Sequence, residues 1–266
     1  MEEHPSRNGC VLVTGGGVRL GAAIVRRLAA ENWPVAIHAR KKEASAALTE
    51  EVEAQGGRAV AVHGDLSRPD SAENIFAQVD ALAGPCTFLV NSAAAFAYDD
   101  IATLSAQSMD ALYHANLRAP LLLAREFAKR LSGRGLIVNL LDQKVFNLNP
   151  DFLSYTIMKA ALQSATQLLA MALAPAVRVC GVAPGLTMRS GEQTEEGFKR
   201  AHARAPLGYG STPDDIAETV SFIARVPSMT GATIVVDGGQ SLVRRDHDVM
   251  FTYGVDPRAP VSPLKT

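Results

Sequence analysis

Seven short apolar runs, separated by longer stretches of helical period, constrain the fold of this 266-residue chain more than any other feature. The runs are residues 10–14, 34–38, 59–63, 87–91, 135–141, 176–182 and 233–237, and the helical stretches are residues 20–31, 42–55, 69–82, 109–131, 153–174 and 213–225. Several runs are continuously apolar, as strands covered on both faces must be. The alternation predicts an α/β fold with helices on both faces of a doubly wound parallel sheet.

The length and the alternation predict one domain, residues 1–266, with a core at about 9–241. Two segments fall outside the pattern. Residues 187–209 are polar and contain Gly191 and Gly197, which predicts a lid over a ligand, a plain surface loop being the alternative. The tail, residues 242–266, carries Pro257, Pro260 and Pro263, which favour an extended path against a neighbouring subunit or disorder.

Charge and cysteine content exclude several classes of function. A net charge of -1 supplies no sequence-wide positive field for nucleic acid or an anionic membrane. The three cysteines form neither a disulfide framework nor a metal-ligand spacing, so no metal is expected. Residues 1–9 lack the basic start and apolar run of a signal peptide. We therefore expect a cytoplasmic protein that acts on a small-molecule substrate.

A glycine-rich turn joins the first predicted strand to the first predicted helix. Gly15, Gly17 and Gly21 lie where the backbone must turn tightly, with Arg19 and Leu20 between them. Helix amides at such a turn face the pyrophosphate of a dinucleotide. The turn predicts a Rossmann-type cofactor site, and a tight turn without a ligand is the alternative.

The end of the second predicted strand indicates which dinucleotide is bound. His38, Arg40 and Lys41 stand where an NAD site usually places a carboxylate for the ribose 2′-hydroxyl. Arg40 and Lys41 could instead pair with a 2′-phosphate, which favours NADPH. The alternatives are two solvated cations and a histidine that serves the core or the surface.

Two further strand ends belong to the same predicted site. Asp65 and Leu66 follow the third strand, and Asn91 and Ala93 follow the fourth. Ligands bind at carboxyl ends of strands in open α/β sheets. Asp65 could accept a bond from the adenine amino group, and the small Ala93 permits close approach of a flat ligand. Simple packing of helix on sheet is the alternative for Ala93.

Tyr155 and Lys159 are four residues apart in a helical stretch, so both side chains lie on one helix face. A nearby ammonium favours the phenolate, and we expect it to lower the pKa of Tyr155 toward neutrality. A phenol tuned in this way can act as a general acid. Taken alone, the pair could also be two unrelated helix residues.

Together these motifs resemble the short-chain dehydrogenase/reductase family over about residues 9–241. The matching positions are residues 14–21, residues 91–94, Asn116, the Tyr155/Lys159 pair, Pro184 with Gly185, and residues 237–239. The resemblance implies seven strands in the order 3-2-1-4-5-6-7, hydride transfer from nicotinamide, and a homotetramer. It also implies that Lys159 holds the nicotinamide ribose, that Asn116 organises a proton-relay water, and that Pro184 and Gly185 border the cofactor.

Three positions resemble the pteridine reductase branch of that family, which includes the bacterial dihydromonapterin and dihydrofolate reductases. Arg19 replaces the middle glycine of the fingerprint, Asp142 replaces the catalytic serine, and Phe96 matches the aromatic residue that holds a pterin against nicotinamide. A carboxylate would repel the oxyanion formed from a ketone, but it can assist protonation of a C=N nitrogen beside Tyr155. These residues predict reduction of a pterin or dihydrofolate-like substrate.

Alternatives stay open at this point. Ala94 replaces a serine often found in that branch, and Arg40 with Lys41 matches its phosphate segment only loosely. Asp142 could bond a backbone turn, and Phe96 could be a core aromatic. A ketone reductase and a non-catalytic NADP(H) sensor are the competing functions. The intact Tyr155/Lys159 pair argues against the sensor.

Overall fold

A computed structural model describes residues 9–190 and 193–253. The strands are β1 Cys10–Val13, β2 Val35–Ala39, β3 Ala59–His63, β4 Cys86–Asn91, β5 Gly135–Leu140, β6 Val177–Pro184 and β7 Thr233–Val236. The helices are α1 Arg19–Ala30, α2 Glu43–Ala54, α3 Ser71–Leu82, α4 Ala106–Tyr113, α5 Ala119–Arg130, α6 Leu153–Leu173, α7 Glu195–His202 and α8 Pro213–Arg225. Gly191 of the predicted lid and the three prolines of the tail lie outside the described residues.

All seven strands pair in parallel in one sheet, in the order β3-β2-β1-β4-β5-β6-β7. The predicted fold class and strand order are therefore confirmed. Helices α1, α2 and α8 bury apolar side chains against one face of the sheet, and α3, α5 and α6 cover the other face. Because every connection is a crossover, the carboxyl ends of the strands meet at one edge, which collects the predicted site residues.

One predicted helix, residues 109–131, is broken in the structure. It consists of α4, a π-helical turn at His114–Arg118, and α5. A π turn inserts one residue into the helical register and often marks a functional site. Here it contains Asn116, which is buried.

The two segments outside the alternation have structure of their own. The predicted lid contains α7, whose Thr194 side chain accepts a bond from Gly197 N. After β7, the chain forms a short turn at Gln240–Leu242 and a single 3₁₀ turn at Val249–Tyr253. Within the described part of the chain, no helix is long and apolar enough to cross a membrane, and no cluster of side chains has the make-up of a metal site.

Candidate active site

The glycine turn is packed so closely that side chains are excluded from it. Gly15 has a φ of +62°, and a Cβ on Gly17 would lie 2.1 Å from the carbonyl oxygen of Ala44. A Cβ on Gly21 would lie 2.2 Å from the carbonyl oxygen of Gly15. The turn is therefore a cradle with backbone amides at the start of α1, and such a cradle fits a pyrophosphate. Leu20 packs against the core.

Thr14 ties this turn to the end of β4. Its Oγ1 accepts hydrogen bonds from Ser92 N at 3.0 Å and from Ala93 N at 3.1 Å. Ala93 also lies against Gly15, since a Cβ on Gly15 would come within 2.9 Å of the Ala93 Cα. The ends of β1 and β4 are thus held together, as the predicted site requires.

His38 lies beneath the turn rather than at the surface, with 2% of the residue exposed. Gly15 N donates to its Nδ1 at 3.4 Å, and its Nε2 donates to Gly64 O at 3.0 Å, which requires the neutral ring with the proton on Nε2. Burial lowers the pKa of His38 to about 4. His38 therefore positions the turn, and a direct contact with the cofactor stays a prediction.

We expect His38 to make the fold acid-sensitive. Its pKa is lower in the folded chain, about 4, than the unfolded value of 6.5, so the stabilisation is complete above pH 6.5 and is lost as pH falls toward 4. The loss is about 3 kcal/mol over that range. Urea unfolding at several pH values measures it. His38→Gln, which cannot titrate, should show a flatter dependence, and an equally steep one would contradict the assignment.

The basic residues after β2 lie at the surface. Arg40 and Lys41 are exposed, and so is Asp65 at the end of β3. Asp65 Oδ1 accepts a bond from Ser67 N at 2.9 Å. Hydrogen bonds from Ser67 and the positive charge of Arg40 hold the pKa of Asp65 below its usual value, so Arg40 and Asp65 lie near each other. Leu66 packs against the core.

Arg19 joins the turn to the lid segment. It has a φ of +52°, unusual for a residue with a side chain, and its Nη1 donates to Arg189 O at 2.9 Å. The contact brings Arg189, near the start of the predicted lid segment, to Arg19 at the start of α1. On the same edge of the sheet, β6 ends at Pro184, and a Cβ on Gly185 would lie 2.7 Å from the Asp237 Cβ.

Two asparagines link the central strands to α6. Asn91 Nδ2 donates to Asn139 Oδ1 at 2.8 Å, and Asn139 Nδ2 donates to Thr166 Oγ1 at 2.9 Å. Both asparagines are buried. These hydrogen bonds join β4, β5 and α6, so they fix the position of α6 relative to the sheet.

Tyr155 and Asp142 are hydrogen-bonded to each other, with the phenol donating to Asp142 Oδ2 at 3.0 Å. Asp142 Oδ1 accepts from Lys144 N at 2.9 Å. Lys159 Nζ donates to Leu140 O at 2.7 Å and lies 5.7 Å from the centre of the Tyr155 ring. Tyr155 and Lys159 are buried, and Asp142 is half-buried. The three predicted catalytic groups therefore meet at one place.

The protonation states differ from the sequence expectation. Burial and the Asp142 carboxylate hold the pKa of Tyr155 well above its usual value, so the expectation that Lys159 lowers it is wrong for this structure. The reason is geometric, because the phenol bonds the carboxylate and the ammonium bonds a carbonyl. Burial lowers the pKa of Lys159 to about 8 and raises that of Asp142. Tyr155 therefore holds its proton more firmly than a free tyrosine, and a carboxyl group of raised pKa lies beside it.

Asn116 fixes the loop that follows β4. Its Nδ2 donates to Ala95 O at 2.9 Å, and its Oδ1 accepts from Ala95 N at 3.2 Å. The π turn allows this side chain to point inward at the loop. Its role in a proton relay stays a prediction, because both polar atoms of the amide bond backbone.

Phe96 belongs to an aromatic cluster, with Phe152 and Tyr155, at the start of α6. Its ring stacks on Phe152 with centres 4.4 Å apart and meets the Tyr155 ring edge-on at 4.9 Å. Phe96 is half-buried, so it is neither a plain core residue nor a free surface ring. On the far side of the loop, Asp99 caps α6, since Oδ1 accepts from Ser154 N at 2.9 Å.

Several contributors to this site carried no local signal in the sequence. They are Asp99, Lys144, Phe152, Asp248 and Phe251. Phe152, the residue directly before α6, is in the left-handed conformation, with a φ of +54°. Lys144 lies two residues after the predicted Asp142, and this proximity is its hint in the sequence. The other contacts join distant parts of the chain.

The chain is similar to proteins of known family. A family model described as enoyl-(acyl carrier protein) reductase matches residues 17–241. FolM alternative dihydrofolate reductase 1 from Brucella canis, solved with NADP, is 38% identical with a TM-score of 0.87, covering 92% of this chain and 98% of that one. A short chain dehydrogenase from Burkholderia cenocepacia, also solved with NADP, is 30% identical with a TM-score of 0.82, covering 88% and 98%.

Curated protein sequences are also similar to this chain. The short-chain dehydrogenase/reductase eriH of Hericium erinaceus is 30% identical over 248 residues, which are 88% of this chain and 98% of the relative. The similarity to FolM confirms the resemblance to the pteridine reductase branch. The extent of the family match and the Tyr155/Lys159 geometry lead to one conclusion: the chain belongs to the short-chain dehydrogenase/reductase family.

Proposed function

We propose that this protein is an NADPH-dependent reductase of the C=N bond of a pterin or dihydrofolate-like substrate. The observation that carries the proposal is the hydrogen bond from Tyr155 Oη to Asp142 Oδ2, at 3.0 Å. A ketone reductase of this family needs an uncharged hydrogen-bond donor at the position where this chain has the carboxyl group of Asp142. The similarity to FolM supports the same substrate class.

The cradle of Gly15, Gly17 and Gly21 fits the cofactor pyrophosphate, with Arg40 and Lys41 placed for a 2′-phosphate. Lys159 would hold the nicotinamide ribose. Bound NADPH supplies a hydride. The residues of this chain supply the proton.

The proton is supplied by the Tyr155 and Asp142 pair. As the carbon of a C=N bond gains hydride, its nitrogen becomes basic and takes a proton. Tyr155 is protonated at neutral pH, as an ordinary tyrosine would be, and its pKa is raised further. Asp142, whose pKa is also raised, accepts from Tyr155 when ionised and can itself donate when protonated. C=N reduction should therefore slow as pH rises through the pKa of Asp142.

Parallel assays distinguish the candidate functions. NADPH oxidation is followed with dihydrobiopterin, dihydrofolate and a simple ketone. Turnover of either pteridine supports the proposal, and turnover of the ketone alone overturns it. Tight NADPH binding without turnover of any substrate would favour a non-catalytic sensor.

A ketone reductase is the second candidate, favoured by the breadth of the matching family model. It requires Asp142 to be protonated, so that its carboxyl group donates to the developing oxyanion as a serine would. The raised pKa of Asp142 is compatible with this role at low pH. Ketone reduction by the parent at acid pH only would support it.

Arg40→Asp should reverse the cofactor preference. We expect the parent to bind NADPH at least about tenfold more tightly than NADH, a difference of about 1.4 kcal/mol that one charge-assisted bond can supply. A carboxylate would repel the 2′-phosphate and accept the 2′-hydroxyl. Fluorescence titration of both cofactors measures the preference. Arg58→Asp, an equal charge change on an exposed residue before β3, is the control. An Arg40 variant that still prefers NADPH would contradict the assignment.

Phe96→Ala should raise KM for a pterin about fivefold, because one stacking face contributes on the order of 1 kcal/mol. NADPH affinity should stay nearly unchanged, which also reports correct folding. Phe222→Ala, a partly exposed aromatic on α8, is the matched control. An unchanged KM would assign Phe96 to packing against Phe152 alone.

We further propose a homotetramer. On α6 the apolar side chains of Leu168 and Met171 are 64% and 75% exposed, which suits burial against another copy of the chain. Sedimentation velocity measures the assembly, and a monomer at micromolar concentration would contradict it.

A further inference from the structure

The segment after β7 returns to the active site at residues 247–251. Asp248 Oδ2 lies 3.0 Å from Lys144 Nζ. The ring of Phe251 stacks on Phe152 with centres 5.6 Å apart and meets Tyr98 edge-on at 5.3 Å. Val249 is buried. This segment is therefore packed against the aromatic cluster that contains Tyr155.

Asp248 binds both ends of the loop between β5 and α6, residues 142–152. Its carboxylate binds Lys144 near the start of the loop, and its backbone N donates to Asp151 Oδ2, near the end, at 2.6 Å. The Lys144 side chain is only 4% exposed. Since Asp142 begins this loop and Tyr155 follows it, the distance between the two catalytic groups depends on the shape of the loop.

Lys144 passes this constraint to Asp142. Its backbone N donates to Asp142 Oδ1 at 2.9 Å, while its ammonium is held by Asp248 and lies 5.0 Å from the centre of the Phe152 ring. The same residue thus contacts the Asp142 carboxylate and the carboxylate that closes the loop. A buried ammonium without Asp248 would be costly, so the loop would rearrange.

We propose that Asp248 is a positioning residue of the active site, which clamps the loop 142–152 through Lys144 and Asp151 and so holds Asp142 within hydrogen-bond distance of Tyr155. The clamp deepens the proposed function by assigning a residue to the same site, but it acts on the Asp142–Tyr155 pair whichever substrate is reduced. It makes the segment after β7 part of the catalytic apparatus.

The charged groups around the clamp predict a pH effect. Three parts of the chain place groups near Asp142. Helix α6 contributes Tyr155 and Lys159, the loop itself contributes Lys144 N, and the segment after β7 contributes Asp248. Asp248 in turn contacts Lys144 and Asp151, and Asp151 also lies 3.3 Å from Nδ1 of His247. Burial is the largest cause of the raised pKa of both Asp142 and Tyr155, and the Asp248 charge adds a smaller contribution to each. Removing that charge should lower the pKa of Asp142.

The test is Asp248→Asn in the full chain, with Asp246→Asn as the control. Asp246 is exposed in the same segment, and its substitution makes the same charge change. We expect kcat to fall about tenfold to a hundredfold for Asp248→Asn, the usual cost of a misplaced catalytic group. The falling limb of the pH profile should move to lower pH. The Kd for NADPH should stay within about twofold of the parent, since the clamp touches no cofactor residue. Asp246→Asn should match the parent.

The kinetic measurements use whichever substrate the parent reduces. If the parent reduces only ketones, the proposed function is overturned, but this test of Asp248 can still be carried out. Hydrogen exchange gives a readout that needs no activity. The backbone amides of Lys144 and Asp248, which donate to Asp142 and Asp151, should exchange faster in Asp248→Asn than in Asp246→Asn.

If Asp248→Asn fails to bind NADPH, Lys144→Gln is measured with the same readouts, because it removes the cation and keeps a donor. A variant that binds NADPH and retains the parent kcat, pH profile and exchange rates would overturn the proposal. Loss of kcat with the parent's pH profile and exchange rates would also overturn it.

Discussion

Asp142→Ser should lower C=N reduction by roughly 10²- to 10⁴-fold, the usual contribution of positioned acid/base catalysis. The variant loses the carboxyl group that bonds Tyr155 at 3.0 Å and that can carry a second proton. It restores the hydroxyl typical of the wider family. Reduction of simple ketones should therefore equal or exceed the parent rate, because the oxyanion gains a donor and loses a repulsive neighbour.

Single-turnover rates with a pterin and a ketone, on parent and variant at neutral pH, measure both effects. NADPH affinity should barely change, and it serves as the folding control. The pH dependence is a second measurement, since the fall in C=N reduction that follows the pKa of Asp142 should disappear. Full pterin activity in the variant would show that Asp142 only caps the turn after β5, which it also does through Lys144 N.

Tyr155→Phe should reduce both reactions, ketone reduction by about 10²- to 10⁴-fold and C=N reduction by less. The difference arises because Asp142 remains as an alternative acid. The hydrogen bond from Tyr155 lowers the pKa of Asp142, so its removal should raise that pKa. Residual C=N reduction should then persist to higher pH than in the parent.

The comparison with Asp142→Ser separates the two groups. One variant loses the donor shared by both reactions, and the other loses the group specific to C=N. Pre-steady-state rates across pH, with NADPH binding as the folding control, give the measurement. Equal losses on both substrates in both variants would show that the pair acts as one unit, which would remove the basis for assigning the substrate from Asp142.

The strands could be predicted because they are covered on both faces. Continuous apolar runs with glycine or proline at their borders have few other solutions, and the observed strands differ from the predicted ones by only a few residues at each end. The Tyr155/Lys159 pair could be placed on one helix face because the spacing of four is a local property. The position of Asp142 beside Tyr155 came from the family resemblance.

The features that could not be predicted from the sequence depend on contacts between distant parts of the chain. The spacing of Tyr155 and Lys159 did not reveal that the ammonium binds Leu140 O, so the predicted direction of the Tyr155 pKa shift was wrong. The sequence left His38 open between a core and a surface position, whereas the structure buries it and bonds its Nε2 to Gly64 O. The π turn at Asn116 leaves no sequence pattern, because one inserted residue barely alters helical periodicity.

The double anchoring of the loop after β4 has a thermodynamic consequence. Asn116 holds one side of Phe96 through both polar groups of Ala95, and Asp99 holds the other side through the start of α6. Folding has therefore already restricted the backbone on which the stacking ring sits. A ligand that stacks there loses little additional loop entropy, which would otherwise be about 1–2 kcal/mol for each residue ordered. Calorimetry of pterin binding should accordingly show a smaller entropic penalty than a disordered loop would impose.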